Sequence, residues 1–337
     1  MITVTRNFPV NIKAEHKEYF THLLNMELPE PGITHYKQRV LLLYNGIVLH
    51  GGKVQQQSLL YATRFKELGG YQFVAIRFMR SFLKGAFTRL PSGPCYVAIT
   101  NEWTDGYFHW MTEALPKLLY SLQQGHKPVV LLPENYTANF HYESLKMLGV
   151  TWQHFEGDAW VSNVFLPNRF APYSAHYNAQ IMEALRQALV GKVVSKTIPH
   201  RKVYLSRRLA RHRKISNELE LINLLTQVGF EIHEFEKYSL QQQIVLMQET
   251  SVFVSLHGGG LTNLIFCKTG VKVLEFSLEN QTMDKCYFNL AHAMGVHYYY
   301  QFCKPASANT DYFSADVVVD LVSLEKNIQS IVEAENV

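Results

Sequence analysis

Along this chain, short apolar runs alternate with stretches whose apolar residues recur every three or four positions. The first pattern predicts buried strands and the second amphipathic helices. From residue 95 the alternation is regular. CYVAIT (95–100) reads as a strand, 106–124 as a helix, PVVLLP (128–133) as a strand and 136–148 as a helix. TWQHFE (151–156) and WVSNVFLP (160–167) follow as strands, and 179–190 as a connecting helix. A polar linker, 191–200, ends in Pro199-His200.

A second alternation then begins. KVYLS (202–206) is a strand and 218–228 a helix, with Asn217 as N-cap, Glu220 completing a capping box, and Gly229 as the stop. FEIHEF (230–235) is a strand and 240–249 a helix. VFVSL (252–256) is a strand that runs into three glycines and a further helix opening at Leu261. KVLEFS (272–277), a helix over 284–294 and VHYYYQF (296–302) complete the series, and a last amphipathic helix covers 324–334. Five strands alternating with helices predict a doubly wound parallel sheet. The first ninety residues are less periodic. Residues 39–50 and 71–78 read as strands, with Asn45-Gly46 as a turn, and 85–94 as loop. The expected fold class is therefore α/β, with two Rossmann-like domains facing a cleft. The domains run over 1–190 and 200–322, and 323–337 form a terminal helix.

Composition narrows the class. A chain of 337 residues is long for one core. No apolar run approaches the roughly 18 residues of a membrane span, and the first residues lack a signal-peptide layout. The expectation is a cytoplasmic protein. Cys95, Cys267, Cys286 and Cys303 are scattered, which fits buried thiols in a reduced compartment and neither a disulfide framework nor a zinc site. A formal net charge of +4 is mild, yet seven basic residues and no acidic one lie between Arg201 and Lys214.

The candidate chemistry collects at strand ends. A strand, a glycine turn and a helix present backbone N–H groups to an anion. His257, Gly258, Gly259, Gly260 and Leu261 form that turn, and Thr262 and Asn263 are expected to point polar groups at its ligand. The glycine spacing fits neither a dinucleotide fingerprint nor a P-loop. Arg207 and Arg213 follow the first strand of the second series, and Glu275 lies near the end of the fourth. Guanidinium groups suit a diphosphate and a strand-end carboxylate suits a ribose, so these parts describe a nucleotide diphosphate site. A solvated basic surface and an exposed strand-end carboxylate would have the same sequence.

In the first series, His109 and Glu113 sit four apart on one helix face, away from the buried stripe of Met111, Leu115, Leu118 and Leu122. A histidine with a carboxylate one turn away can deprotonate a hydroxyl. Asp105, just before the helix, is a second candidate base. A capping aspartate and a half-buried His–Glu pair read identically. Pro116 removes an N–H from this helix and is expected to bend it. No Asp-x-Asp occurs, and no His/Asp/Glu cluster has metal spacing, so no metal site is expected.

GYFHWMTEALPKL, then SRRLARHRKISNE, then the stretch from GFEIHEF through SLHGGGLTNLIF, then VLEF, resemble in order the blocks of family 61 glycosyltransferases. Gly259 stands where that family carries alanine. The resemblance spans roughly 101–302. It implies a GT-B architecture and an inverting, metal-independent transfer from a nucleotide sugar, commonly a UDP-sugar, to a hydroxyl of a glycan or glycoconjugate. It adds Asn217 and Glu218 to the donor set of Arg207, Arg213, the residues 257–263 and Glu275. It leaves His109, Glu113 and Asp105 as alternative bases. With no anchor or signal read from the sequence, the resemblance points toward members associated with capsule, lipopolysaccharide or other surface glycans, at the inner face of the membrane. No cofactor beyond the donor is expected. Three rivals remain: a catalytically silent nucleotide or glycan binder, a pyruvyl or other group transferase on the same fold, and a nucleic-acid binder. Acidic residues Glu218, Glu220 and Glu231 close behind the basic run count against the last.

Overall fold

The computed structural model describes residues 1–59, 65–67, 69–171, 174–193, 198–279, 285–307 and 314–333. Parts of three expected elements lie outside these residues: 194–197 of the linker, 284 at the start of a helix, and 334–337 at the C-terminus. The fold is mixed α/β with several sheets, and the chain divides into two compact units. One contains Met1–Ile2 and Glu27–Leu189, the other Thr3–Met26 and Val190–Val337.

The second unit carries the regular alternation. Its strands lie in the order Phe230–His233, Arg201–Leu205, Thr250–Leu256, Lys272–Leu278, His297–Pro305 and Val317–Val318. The first five pair in parallel, and the last closes the edge antiparallel. The chain thus enters the sheet at Arg201–Leu205, steps to one neighbour, then crosses back to the other side. That reversal puts a topological switch point between Arg201–Leu205 and Thr250–Leu256, where open α/β sheets form a ligand crevice beyond their carboxyl ends. The central strands Thr250–Leu256 and Lys272–Leu278 are buried on both faces, which is why they stand out in the sequence as apolar runs. The C-terminal helix Leu321–Glu333 buries Leu324, Ile328 and Ile331 against Leu221, Leu225 and the sheet, so it is part of this core.

Residues 3–26 also belong to this unit, although the sequence expectation grouped them with the first domain. Their backbone tracks the strand His297–Pro305. The Val10 N–H donates to the Tyr298 carbonyl at 2.9 Å, and the Asn11 side chain both donates to the Tyr300 carbonyl and accepts from its N–H. Covering an otherwise open strand edge in this way satisfies its backbone groups. Phe20, fully buried, packs on Phe288 and Tyr300.

The first unit departs from a single doubly wound sheet. One five-stranded sheet has the order Trp152–Phe155, Val129–Pro133, Tyr96–Val97, Val164–Pro167, Ile33–Tyr36, parallel except for the last strand. A second sheet joins Lys53–Val54, Val48–His50, Val40–Leu42, Asp158–Val161 and Phe87–Arg89, mostly antiparallel. The expected strand 160–167 is really two, broken at Asn163, whose backbone is left-handed at φ 56°, and the two halves join different sheets. The loop expected over 85–94 contains the strand Phe87–Arg89.

The expected strand at 71–78 is instead the helix Gly70–Lys84. Its aromatic and β-branched residues mimic a strand, but its contacts follow helical spacing. Gly70, Val74 and Ser81 are buried, and Arg77 and Ser81 both reach the buried Asp158. The expected helix 106–124 forms as Tyr107–His109, a π-helical turn over Trp110–Ala114, and Leu115–Gln123. Pro116, at the start of the last segment, has no N–H to give, and the Leu115 N–H reaches back to the Trp110 carbonyl. The break therefore takes the form of a π-bulge one residue ahead of the proline.

Candidate functional site

Each unit holds one cluster of candidate groups. In the first, His109, just ahead of the π-turn, and Glu113 within it meet on the same face. His109 Nδ1 lies 2.9 Å from Glu113 Oε1. The same oxygen accepts from the Ser174 hydroxyl at 2.6 Å, and Oε2 accepts from the Asn101 amide at 2.7 Å. Burial alone would raise the Glu113 pKa, but the imidazole, the hydroxyl and the amide outweigh it and hold the carboxyl down at about 2. Glu113 is thus ionised at neutral pH and a poor base. Its fixed charge keeps the shared proton on Nδ1, which leaves the lone pair of neutral His109 on Nε2.

Asp105 is exposed and lines a cavity of about 320 Å³ with Asn101, Glu102, Phe73 and Tyr136. Asn101 joins the two features, lining that cavity and holding Glu113. One residue of this cluster escaped the sequence reading although its spacing exposes it. Lys117, a further turn along from His109 and Glu113, is buried. Burial pushes its ammonium down to about 8, with Glu113 pulling up and Arg169 pushing down. Ser174 was not legible at all, since it comes from 61 residues away.

In the second unit the candidates gather at the switch point. Arg207 leaves the end of Arg201–Leu205 and lies across Gly258, at the end of Thr250–Leu256. A Cβ on Gly258 would stand 1.9 Å from an Arg207 nitrogen. A Cβ on Gly260 would stand 2.3 Å from Leu205, whereas Gly259 faces open space. A side chain at either of these two positions would displace Arg207 or Leu205. At the third a methyl group fits, which accounts for the alanine expected there from the resemblance.

The Arg207 guanidinium is fixed by the carbonyls of Arg213 and His212, at 3.2 Å each. Burial and the neighbouring Arg213 both lower its pKa. Arg213 has a left-handed backbone, φ 60°, unusual for a side-chain-bearing residue. It is held there by bonds from 314–319: Arg213 N–H to the Ser314 carbonyl, Lys214 N–H to Asp316, and Val317 N–H to the Lys214 carbonyl. Its Nε is buried without a hydrogen-bond partner. Two other arginines of the basic run are neutralised: Arg201 by Glu231 and Glu249, Arg208 by Glu234. Among the described residues neither Arg207 nor Arg213 forms an ion pair. Two adjacent guanidinium groups without ion-pair partners at a sheet's switch point have the chemistry to hold an anion.

The remaining predicted donor residues take other positions. Glu275 is buried, with Oε1 2.5 Å from His257 Nδ1 and Oε2 accepting from the Tyr298 hydroxyl at 2.6 Å. Both oxygens face protein partners, so the carboxylate orients His257 and does not present itself to a ribose. Thr262 and Asn263, expected to face a ligand, are buried in the 3₁₀ helix Gly259–Phe266, as is Leu261. The Asn263 amide donates back to the Gly260 carbonyl and locks the turn, and the Tyr287 hydroxyl donates to the Gly258 carbonyl. Asn217 makes no cap bond. Its amide instead exchanges two hydrogen bonds with the Val319 backbone. Glu218 accepts from Tyr204 and Ser206. These two residues brace the Arg213 loop. No group of three or more metal-ligating side chains occurs among the described residues, and no helix among them is long and apolar enough to cross a membrane.

Residues 107–274 match the model of the family described as Glycosyltransferase 61, and the resemblance read from the motifs therefore holds. Among curated proteins, the chain is 28% identical over 144 residues to an EGF domain-specific O-linked N-acetylglucosamine transferase of Bos taurus. Similar matches occur to proteins of the same description from Mus musculus (28% over 144 residues) and Drosophila melanogaster (27% over 142 residues). Each match covers 37% of this chain and 27% of the relative, so the similarity spans about a quarter of those proteins' length.

Proposed function

We propose that this protein is a glycosyltransferase of the GT-B type that moves a sugar, with inversion and without a metal ion, from a nucleotide sugar to a hydroxyl. The observation that carries the reading is the pair Arg207 and Arg213, held without acidic partners against a glycine that permits close approach. The second unit takes the donor diphosphate and the first supplies the base. His109 Nε2 accepts the acceptor hydroxyl proton. The oxygen attacks the anomeric carbon, and the bond from that carbon to the diphosphate oxygen breaks with its electron pair on the leaving nucleotide. Arg207 and Arg213 stabilise the charge that develops there, and a preorganised site does so without reorganisation. Glu113 orients the imidazole and favours its protonated form as the proton arrives.

The relatives' description as N-acetylglucosamine transferases makes a UDP-linked N-acetylglucosamine the first donor to test. The acceptor is proposed to be a glycan or glycoconjugate of the cell surface, and the enzyme to work at the cytoplasmic face of the membrane. Calorimetric titration with UDP in the presence of EDTA tests the donor assignment. Binding is expected, and Arg213→Ala should weaken it by about 1.5–3 kcal/mol, the range for a hydrogen bond to a charged group. Binding that EDTA abolishes, or equal affinity in parent and variant, would overturn it.

A further inference from the structure

The helix Gly70–Lys84 is anchored to the first unit along a narrow stripe. Val74 and Ser81 are buried, and Arg77 lies inward, paired with Asp158 at 3.1 Å and stacked on the Tyr44 ring at 4.2 Å. Nearly everything else faces out. Tyr71 and Ile76 are each 54% exposed, Met79 61%, Phe82 67% and Leu83 77%. At 100° per residue, Phe78, Tyr71, Phe82, Met79, Leu83 and Ile76 follow one another around a single broad arc. Arg80 and Lys84, both exposed, flank that arc on one side. Such large apolar side chains, contiguous and outward, are uncommon on a free protein surface and mark an interaction site.

The charge pattern names the occupant. From Gly70 to Pro94 the chain contains Arg77, Arg80, Lys84 and Arg89 and no acidic residue. A second protein copy would bring the same positive charge to the contact, which is unfavourable. An anionic bilayer surface supplies both an apolar phase for Phe82 and Leu83 and phosphates for Arg80 and Lys84. We infer that Gly70–Lys84 is an interfacial helix that docks the first unit on an anionic lipid surface. Phe73 of the same helix lines the 320 Å³ cavity that holds Asp105. Docking would therefore bring that cavity to the bilayer surface, within reach of an acceptor carried there by a lipid. The docking itself does not depend on the proposed sugar transfer.

Flotation of the full chain with vesicles tests it, using phosphatidylcholine alone and phosphatidylcholine with one-third phosphatidylglycerol. The parent should float with the anionic vesicles far more than with the neutral ones, and less as salt rises. Arg80→Gln with Lys84→Gln should cut anionic binding by about tenfold or more, since each basic residue near such a surface is worth roughly fivefold. Phe82→Ser with Leu83→Ser should abolish flotation while leaving the thermal midpoint unchanged, because neither side chain packs in the core. Phe82→Trp should keep binding and shift its emission to the blue on anionic vesicles. No flotation of the parent, or flotation indifferent to both double variants, overturns the inference. So does a parent dimer that ignores vesicles and is dispersed by Phe82→Ser with Leu83→Ser, since the helix would then be a self-association face.

Discussion

Both units carry a histidine hydrogen-bonded through Nδ1 to a carboxylate, half-buried in the first and buried in the second, but the two pairs are built differently. His109 and Glu113 are one turn apart on a single helix, and their carboxylate is also held by Asn101 and Ser174. His257 and Glu275 come from neighbouring parallel strands, with Tyr298 of a third strand on the other carboxylate oxygen. The first pair stands beside a cavity that could admit an acceptor, the second beside Arg207 and the glycine turn. A His–carboxylate pair by itself therefore names no role. What differs is the neighbourhood, a cavity near the first pair and Arg207 against the glycine turn beside the second.

The largest expected effect separates the two pairs. His109→Ala should lower transfer by about 10²–10⁴, the usual worth of a positioned base, with nucleotide affinity within a few fold of the parent. His257→Ala should do the reverse in binding, weakening the nucleotide by at least tenfold. Calorimetry and donor turnover on both variants check this. Full transfer by His109→Ala would pass the base role to Asp105, the exposed carboxylate of the cavity.

The next test concerns Glu113 alone. Its pKa falls from 4.5 unfolded to about 2 folded. A depressed carboxylate stabilises the fold above its unfolded pKa, and that contribution is lost as pH falls from about 4.5 through 2. The shift corresponds to something on the order of 3 kcal/mol. Glu113→Gln should flatten the acid limb of stability measured by urea unfolding between those pH values. An acid limb as steep as the parent's would mean that Glu113 is not the held carboxylate.

The glycine turn sharpens the donor half. Gly258→Ala and Gly260→Ala force contacts against Arg207 and Leu205, and each should cost about 1–3 kcal/mol of stability or a comparable loss of nucleotide affinity. Gly259→Ala should leave both within error, because its Cβ meets nothing within 4 Å. Equal effects at all three positions would remove the close-approach argument. The smallest expected effects come from the outer partners. Ser174→Ala and Tyr298→Phe each remove one bond to a carboxylate and should cost about 1.5 kcal/mol in thermal unfolding. Tyr298→Phe should add a modest loss of nucleotide affinity through His257, and Ser174→Ala should leave that affinity unchanged.

Local information was legible and distant information was not. The helix Ala179–Val190, the central parallel strands of the second unit and the His109–Glu113 pair follow from periodicity, because strands buried on both faces and residues four apart on a helix leave direct marks in sequence. The helix Gly70–Lys84 did not, because its anchoring residues are Arg77 and Ser81, polar side chains reaching Asp158 some eighty residues away. By itself the sequence determined that a glycine turn, a set of arginines and a helix with a His–Glu pair exist, and in what order. Only the tertiary structure decided which arginines lack acidic partners, that Glu275 turns inward to His257, and that Asn217 and Glu218 brace a loop. The physical reason is that charge compensation and burial depend on neighbours brought together by strand order, and strand order is a property of the folded chain.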